Sequence, residues 1–289
     1  TGGALAGYLR EDSDTTIRER DDVESLSQAP VLALVPHMKR PGPACEIARI
    51  STSQYGESAP VAKPRKRAES VVVLEAFRNV VGDIRYLEPH SPGKRLRTLA
   101  VVSAMRGDGK TFCACNLAIA HTTLGANTLL VDTDLRAKGV SRFFEIEPQD
   151  PGLTDALAGH VEWRPTIQAW SANRRAGLHV MPSGTLAARA AEYISAGGFD
   201  RLVGQVTSRY DVVIFDTPPI NLLTDGLVVA SKADGVIVVT REGATSREDL
   251  AIALQRLERA RAHVLGVVIN GSKLPGHTRS YYYPSVYAH

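Results

Sequence analysis

Residues 104–111, AMRGDGKT, have the residue types and spacing to hold a polyphosphate. This segment, the phosphate loop, matches G-x-x-x-x-G-K-[ST], except that Ala104 stands at the first glycine position. Its two glycines permit backbone angles that turn N–H groups inward around phosphate oxygens, and a helix beginning near Lys110 would point free N–H donors at the same anion. Lys110 would reach the β and γ phosphates, and the Thr111 hydroxyl would help to hold Mg²⁺. The alternative is a tight strand-to-helix turn without a ligand.

Three aspartates follow hydrophobic runs and are candidates for holding a nucleotide-bound magnesium ion. Asp132 and Asp134 lie in LLVDTDLR, and Asp216 ends the run DVVIFD. In a strand, residues i and i+2 point to one face, so Asp132 and Asp134 can meet at a single ion. For any one aspartate alone, the alternative is a helix cap or a turn. Together with the phosphate loop, the three carboxylates predict binding of a nucleotide with Mg²⁺.

Alternating strands and helices must position these residues. Six apolar runs lack polar alternation, as is typical of parallel strands buried on both faces: LAVVSA, NTLLVDT, LHVMP, DVVIFDT, GVIVVT and VLGVVIN. Helical segments lie between them, including one with a predicted capping box from Thr245 to Glu248. The sequence therefore predicts an α/β protein with a doubly wound, mostly parallel sheet flanked by helices, the P-loop NTPase fold. Asn270, which ends the last run, is a weaker candidate for the nucleotide base, and a turn role fits it equally.

Composition divides the 289 residues into three parts. Residues 1–69 hold an acidic stretch, a strand candidate PVLALVP and a basic Pro/Ser-rich linker, residues 70–275 hold the α/β pattern, and residues 276–289 form a tyrosine-rich tail that is expected to be flexible. A net charge of +3 does not favour nucleic acid as a partner, and three cysteines fit a reducing compartment. No apolar run reaches the length of about 18 residues that spans a membrane, although the opening TGGALAGYLRE fits the end of a membrane helix as well as a frayed terminus.

The motifs together resemble those of the bacterial tyrosine kinases, which belong to the MinD/ParA class of P-loop ATPases. The resemblance rests on the phosphate loop, a hydrophobic-DxDxR motif that ends at Arg136, and a hydrophobic-DxxP motif that ends at Pro218. The tyrosine tail resembles the family's autophosphorylation cluster. Glu75 and Arg78 resemble the start of its E-x-x-R-x-x-R oligomerisation motif. Residues 1–36 resemble the segment after the second membrane helix in single-chain, polysaccharide co-polymerase members.

This resemblance implies an ATP- and Mg²⁺-dependent protein-tyrosine kinase that phosphorylates the tail of a neighbouring subunit and regulates exopolysaccharide or capsule synthesis and export. The implied partners are other subunits of a homo-oligomer, a membrane co-polymerase portion or activator, and a phosphotyrosine phosphatase, at the cytoplasmic face of the bacterial inner membrane. The candidate site residues are, for catalysis, Lys110, Asp132, Asp134 and Asp216; for metal, Thr111 and the same three aspartates; for the nucleotide, Ala104, Arg106, Gly107, Asp108, Gly109, Lys110, Thr111, Phe112, Arg136 and Asn270; for autophosphorylation, Tyr281, Tyr282, Tyr283 and Tyr287; and for oligomerisation, Glu75 and Arg78.

Several positions depart from the family pattern. Arg106 replaces a usual proline and Phe112 a small hydroxyl residue, and both are predicted to be tolerated because loop contacts come mainly from the backbone. Val81 stands where the oligomerisation motif expects arginine, and Arg85, one helical turn further on, could substitute. The signature lysine of MinD/ParA proteins is replaced by Met105, which with the tyrosine tail favours a kinase. The alternatives are a MinD/ParA-like ATPase switch without kinase activity and a scaffold whose transferase activity has decayed.

Overall fold

The computed structural model describes residues 15–38, 64–87, 95–147, 149–172, 177–185, 192, 194 and 197–273. Its elements, in chain order, are α1 (Arg20–Glu24), β1 (Val31–Pro36), α2 (Pro64–Leu87), β2 (Thr98–Ser103), α3 (Lys110–Thr123), β3 (Thr128–Asp132), α4 (Gly139–Phe144), α5 (Leu153–Leu157), a 3₁₀ turn (Arg164–Thr166), β4 (Gln168–Ala172), β5 (Gly177–Met181), α6 (Gly198–Thr207), β6 (Val212–Asp216), α7 (Asp225–Lys232), β7 (Gly235–Arg241), α8 (Arg247–Arg259) and β8 (Val264–Ser272). The predicted tail tyrosines lie outside the described residues.

The described strands form one eight-stranded sheet in the order β1-β8-β7-β2-β6-β3-β5-β4. Neighbouring strands are parallel except β4 and β5, and the six predicted apolar runs are strands β2, β3, β5, β6, β7 and β8. This confirms the predicted fold class.

Helices cover both faces of the sheet, which explains why its strands are continuously apolar. Along β2, Val101 faces a core that includes Phe77 of α2, whereas Val102 faces a second core that includes Phe199 of α6 and Leu257 of α8. All six residues of β2 are buried. Since neither face meets water, polar alternation is absent from the sequence.

The edge strand β4 was not predicted. It pairs antiparallel with β5, and its sequence QAWSA mixes polar and apolar residues. Trp170 supplies its main apolar contact, with its ring centroid 4.9 Å from that of Phe144. A strand of five residues without regular alternation has too weak a periodic signal to be recognised from sequence.

The segment before the predicted P-loop domain is partly built into the sheet. Strand β1, which matches the strand candidate PVLALVP, pairs in parallel with β8 although it lies in the first of the three predicted parts. Helix α2 begins at Pro64, inside the predicted linker, because proline is well tolerated in the first turn of a helix. The division at residue 69 is therefore not a boundary of the sheet or of α2. In the described part of the chain, no helix is long and apolar enough to cross a membrane.

Gly266 allows β8 to lie close to β1. A Cβ there would lie 2.5 Å from Cγ of Leu32 and 2.6 Å from the carbonyl oxygen of Pro30. We expect Gly266→Ala to lower the free energy of unfolding by about 1–3 kcal/mol, because the β1 backbone must move. Gly204 of α6 has open space around it, so Gly204→Ala should instead raise stability by about 0.5–1 kcal/mol. Urea unfolding followed by circular dichroism measures both, and an undiminished stability of Gly266→Ala would contradict the expectation.

Candidate functional site

The phosphate loop connects the end of β2 to the start of α3, as predicted. Gly107 and Gly109 adopt positive φ angles of 92° and 94°. A Cβ on Gly109 would lie 1.9 Å from Nδ2 of Asn270, so any other residue would displace the Asn270 side chain as well as strain the backbone. Ala104 is fully buried and does not adopt a positive φ, which explains why alanine fits the first glycine position.

Lys110, the first residue of α3, lies among the three predicted aspartates. Its Nζ is 2.8 Å from Oδ2 of Asp134, and the lysine side chain is 11% exposed. Burial lowers the pKa of Lys110, but the charges of Asp216, Asp134 and Asp132 together outweigh burial and raise it. The lysine is therefore held as a cation in this cluster.

Asp132 and Asp216 lie side by side at the ends of adjacent parallel strands, where β3 and β6 pair. Both are fully buried, and within the described part of the chain Oδ2 of Asp132 and both carboxylate oxygens of Asp216 have no partner in good hydrogen-bond geometry. The Thr111 hydroxyl is close enough to Asp216 to lower the pKa of that carboxyl. Burial raises the pKa of Asp216 to about 6. Burial, followed by the Asp216 charge, raises that of Asp132 well above its ordinary value. Buried carboxylate oxygens without donors fit a hard cation such as Mg²⁺.

Asp132 and Asp134 are not related by strand alternation, and their binding to a single ion stays a prediction. Strand β3 ends at Asp132, so the alternation of strand side chains does not reach Asp134. Instead, the Asp134 N–H donates to Oδ1 of Asp132 at 3.1 Å. The Asp134 carboxylate accepts a hydrogen bond from Nζ of Lys110. Among the residues with described positions, no group of three His, Cys, Asp or Glu side chains is arranged to hold a metal unaided. This arrangement is compatible with Mg²⁺, which commonly binds one or two carboxylates together with phosphate and water.

The remaining nucleotide candidates lie around the loop in different environments. Arg106 is exposed, whereas Phe112 is half-buried and packs against Phe143 with ring centroids 6.4 Å apart. Nη2 of Arg136 is 3.7 Å from Oδ2 of Asp225 at the start of α7. Contact of these side chains with a nucleotide stays a prediction.

The structure shows the local contacts of the predicted base-binding residue and of the predicted oligomerisation residues. The Asn270 side chain donates to the carbonyl oxygen of Asp108 at 2.9 Å, so it contacts the phosphate loop itself, and its contact with a base stays a prediction. Glu75 and Arg78, the oligomerisation candidates, form an ion pair with each other on α2. Their role between subunits is likewise still a prediction.

Sequence reasoning missed two residues that contact the loop, Arg241 and Thr245. The Thr245 hydroxyl donates to Oδ1 of Asp108 at 2.8 Å, and the Arg241 guanidinium donates to the Gly107 carbonyl oxygen at 3.1 Å. Thr245 was predicted as the N-cap of α8, but the N-cap is Ser246, whose hydroxyl accepts from the backbone. No local pattern could pair residues so distant in sequence with the loop.

Comparison with known proteins identifies the family. A family model described as an AAA domain matches residues 96–265. The tyrosine-protein kinase YwqD of Bacillus subtilis (strain 168) is 32% identical over 209 residues, which cover 72% of this chain and 85% of YwqD. The chain belongs to the bacterial tyrosine-protein kinases. The kinase domain of the Escherichia coli tyrosine kinase ETK shares the fold of this kinase, with a TM-score of 0.72 at 22% identity, covering 89% of this chain and 95% of that one.

The fold is shared more widely with P-loop ATPases. The septum site-determining protein MinD from Pyrococcus horikoshii, in complex with Mg-ADP, has a TM-score of 0.50 at 20% identity and covers 64% of this kinase and 76% of its own chain. Family membership confirms the predicted resemblance and the predicted enzyme class, a protein-tyrosine kinase. The phosphate loop and the three aspartates of this kinase lie at the carboxyl ends of β2, β6 and β3, three adjacent strands, where ligands of such sheets bind.

Gly109 offers a test of the loop in this kinase. We expect Gly109→Ala to weaken Mg·ADP binding by about tenfold or more, because the new methyl group displaces Asn270 and the residue must hold a left-handed backbone. Gly107→Ala introduces only the backbone strain, since a Cβ there meets open space, so its effect should be smaller. Titration with a fluorescent ADP analogue compares the two variants, and an equal loss at both positions would contradict the steric argument.

Proposed function

We propose that this chain is an ATP-dependent tyrosine autokinase. It transfers the γ-phosphoryl group of ATP to tyrosines in the tail of a neighbouring subunit, and through this reaction regulates bacterial exopolysaccharide or capsule synthesis and export. The observation that carries the proposal is the meeting of Lys110 with three aspartates beside the phosphate loop, in a chain of the tyrosine-kinase family.

The phosphate loop and Lys110 would hold the triphosphate. Backbone N–H groups of the loop and of the first turn of α3 form an anion site, and Lys110 adds a buried positive charge. Thr111, Asp132 and Asp216 are the residues proposed to hold Mg²⁺, since the two carboxylates keep buried oxygens without donors. When bound, Mg²⁺ would neutralise part of the phosphate charge that develops during transfer.

A tyrosine hydroxyl, with an ordinary pKa near 10, must lose its proton to attack at neutral pH. Asp134 is the weakest candidate for the accepting base, because its carboxylate is paired with Lys110. An oxygen of Asp132 or Asp216 that does not bind Mg²⁺ would be placed to accept this proton, since these carboxylates keep buried oxygens without a partner in the described part of the chain. Positioning of the phosphoryl group and electrostatic stabilisation would supply most of the remaining rate.

The tail is the proposed substrate. Its fourteen residues, 276–289, could reach about 45 Å when extended, enough to enter a neighbouring subunit. The proposed partners are other copies of the chain, a membrane co-polymerase portion or activator and a phosphotyrosine phosphatase, at the cytoplasmic face of the bacterial inner membrane.

A mixing experiment tests both the activity and its direction. The full chain carrying Lys110→Met supplies a tail without a working site, and an active chain ending at Pro275 supplies a site without a tail. With ATP and Mg²⁺, mass spectrometry should find phosphate on Tyr281, Tyr282, Tyr283 or Tyr287 only when the two are mixed. Phosphate on the tail of the wild-type chain but not in the mixture would contradict transfer between subunits. ATP hydrolysis without phosphotyrosine in any sample would instead favour the MinD/ParA-like switch.

A further inference from the structure

The phosphate loop contains an acidic side chain that is turned into the protein. Asp108 is 3% exposed. Its Oδ2 accepts the Met105 N–H at 2.9 Å and its Oδ1 accepts the Thr245 hydroxyl at 2.8 Å. A carboxylate beside bound phosphate would repel it, so an aspartate in this loop must be held away by donors such as these. The contact with Met105 also closes the loop on itself.

The ends of β7 and β8 hold the same loop from outside. The Thr245 hydroxyl accepts the Arg241 N–H at 2.7 Å, so one hydroxyl joins the β7 end to Asp108. The Arg241 guanidinium donates to the Gly107 carbonyl oxygen at 3.1 Å, and Nδ2 of Asn270 donates to the Asp108 carbonyl oxygen at 2.9 Å. We call Asp108, Arg241, Thr245 and Asn270 the brace. It holds the carboxylate and two carbonyl groups of the loop. Among the loop N–H groups, Asp108 engages that of Met105, and the others are left for phosphate.

An N-terminal segment holds the brace in turn. Residues 15–24, which we call the strap, lie along the turn after β7. The Ile17 N–H donates to the Thr245 carbonyl oxygen at 2.8 Å, and the Gly243 N–H donates to the Ile17 carbonyl oxygen at 2.8 Å. The side chain of Ile17 is fully buried, and Asp22 forms an ion pair with Arg247 at the start of α8. The strap thus contacts Thr245, which in turn contacts Asp108 of the phosphate loop.

We propose that Asp108 and Thr245 are positioning residues for the nucleotide, and that the strap contributes to nucleotide affinity through Thr245. The inference rests on the proposed function, because it concerns binding at the phosphate loop. A phosphate loop that already has its binding conformation does not have to be ordered when the nucleotide binds. Weakening the brace must therefore raise the dissociation constant of the nucleotide. Neither residue needs to touch the nucleotide for this effect.

The test removes the Thr245 hydroxyl, which bridges Arg241 and Asp108, and keeps the shape of the side chain. Thr245→Val should weaken Mg·ADP binding by about tenfold or more, whereas Thr245→Ser, which retains the hydroxyl, should stay within about threefold of wild type. Thr240→Val is the matched control, because Thr240 is also buried in this region and its hydroxyl has no hydrogen-bond partner among the described residues. This control should bind as wild type does. Equal affinities of Thr245→Val and wild type would overturn the inference while leaving the proposed function intact.

Hydrogen exchange of the nucleotide-free protein tests the brace independently of the proposed kinase function. The Met105 N–H, which Asp108 holds, should exchange faster in Thr245→Val than in wild type or Thr240→Val. This readout remains available if wild type binds no nucleotide, a result that would contradict the proposed function. Unchanged exchange in Thr245→Val would overturn the brace directly.

A double-mutant cycle tests the strap. Ile17→Ala removes a buried anchor of the strap and should weaken Mg·ADP binding by about threefold or more in the wild-type background. If the strap acts through Thr245, the same change should have an effect of less than about twofold in the Thr245→Val background. Additive effects would overturn the proposed route, and an unchanged affinity in Ile17→Ala would overturn any contribution of the strap.

Discussion

Lys110→Met is expected to reduce the rate of tyrosine phosphorylation by about 10³-fold or more. Lys110 Nζ is 2.8 Å from Oδ2 of Asp134, and its side chain is 11% exposed. Phosphoryl transfer depends on neutralising charge that develops on phosphate oxygens, and a positive charge placed in a buried site does this more strongly than one in water. Methionine has similar length and no charge. The substitution therefore removes the electrostatic contribution and leaves much of the packing.

A lysine outside the site provides the control for this prediction. Lys232 also forms an ion pair, with Asp200, and the two side chains are 27% and 59% exposed. Lys232→Met should change the rate by less than about twofold, since exposed ion pairs contribute little. Phosphotyrosine formation, followed by mass spectrometry over time with ATP and Mg²⁺, measures both variants. A Lys110→Met rate above a tenth of wild type would contradict the proposed role of Lys110.

Asp216→Asn is expected to abolish most kinase activity, by about 10²-fold or more, and yet to stabilise the metal-free protein at pH 8. Asp216 is fully buried and its oxygens lack donors among the described residues. Burial raises its pKa from the ordinary 3.8 to about 6, which corresponds to about 3 kcal/mol of destabilisation when the group is ionised. Asparagine removes that charge. The net gain should be about 1–3 kcal/mol, because Lys110 loses one counter-charge while keeping Asp134.

The pH dependence has a definite sign. Between about pH 4 and 6 the folded state keeps the Asp216 proton longer than the unfolded state does. The free energy of unfolding of the metal-free wild type should therefore fall as the pH rises through this window. In Asp216→Asn this contribution disappears, so the difference between the two proteins should grow from pH 4 to pH 6 and level off above it.

Asp134→Asn is the contrasting variant. It removes the direct partner of Lys110 and leaves a buried lysine without its closest carboxylate, so it should destabilise the protein where Asp216→Asn stabilises it. Urea unfolding in a chelator at pH 5 and pH 8 measures all three proteins. Lower stability of Asp216→Asn than of wild type at pH 8 would show that the buried carboxylate is not destabilising.

Features set by interactions between neighbouring residues were predicted correctly from the sequence, whereas features set by contacts between distant segments were missed. The run DVVIFD was predicted as a buried strand because a strand covered on both faces has a continuous apolar pattern, a property of neighbouring residues. The phosphate loop was recognised for the same reason, since its glycines and Lys110 act within one turn of chain. The strand β4 was missed because its place depends on β5 and on Trp170 meeting Phe144.

The sequence by itself determined the α/β fold class, the phosphate loop and the presence of carboxylates at strand ends, because these follow from local periodicity and spacing. Tertiary structure alone decided that Asp132 lies beside Asp216 while Asp134 pairs with Lys110, since strand pairing and the end of β3 set those neighbours. It also decided that Thr245 contacts Asp108 rather than capping α8. Hydrogen bonds between distant segments depend on chain packing and have no signature in either local sequence.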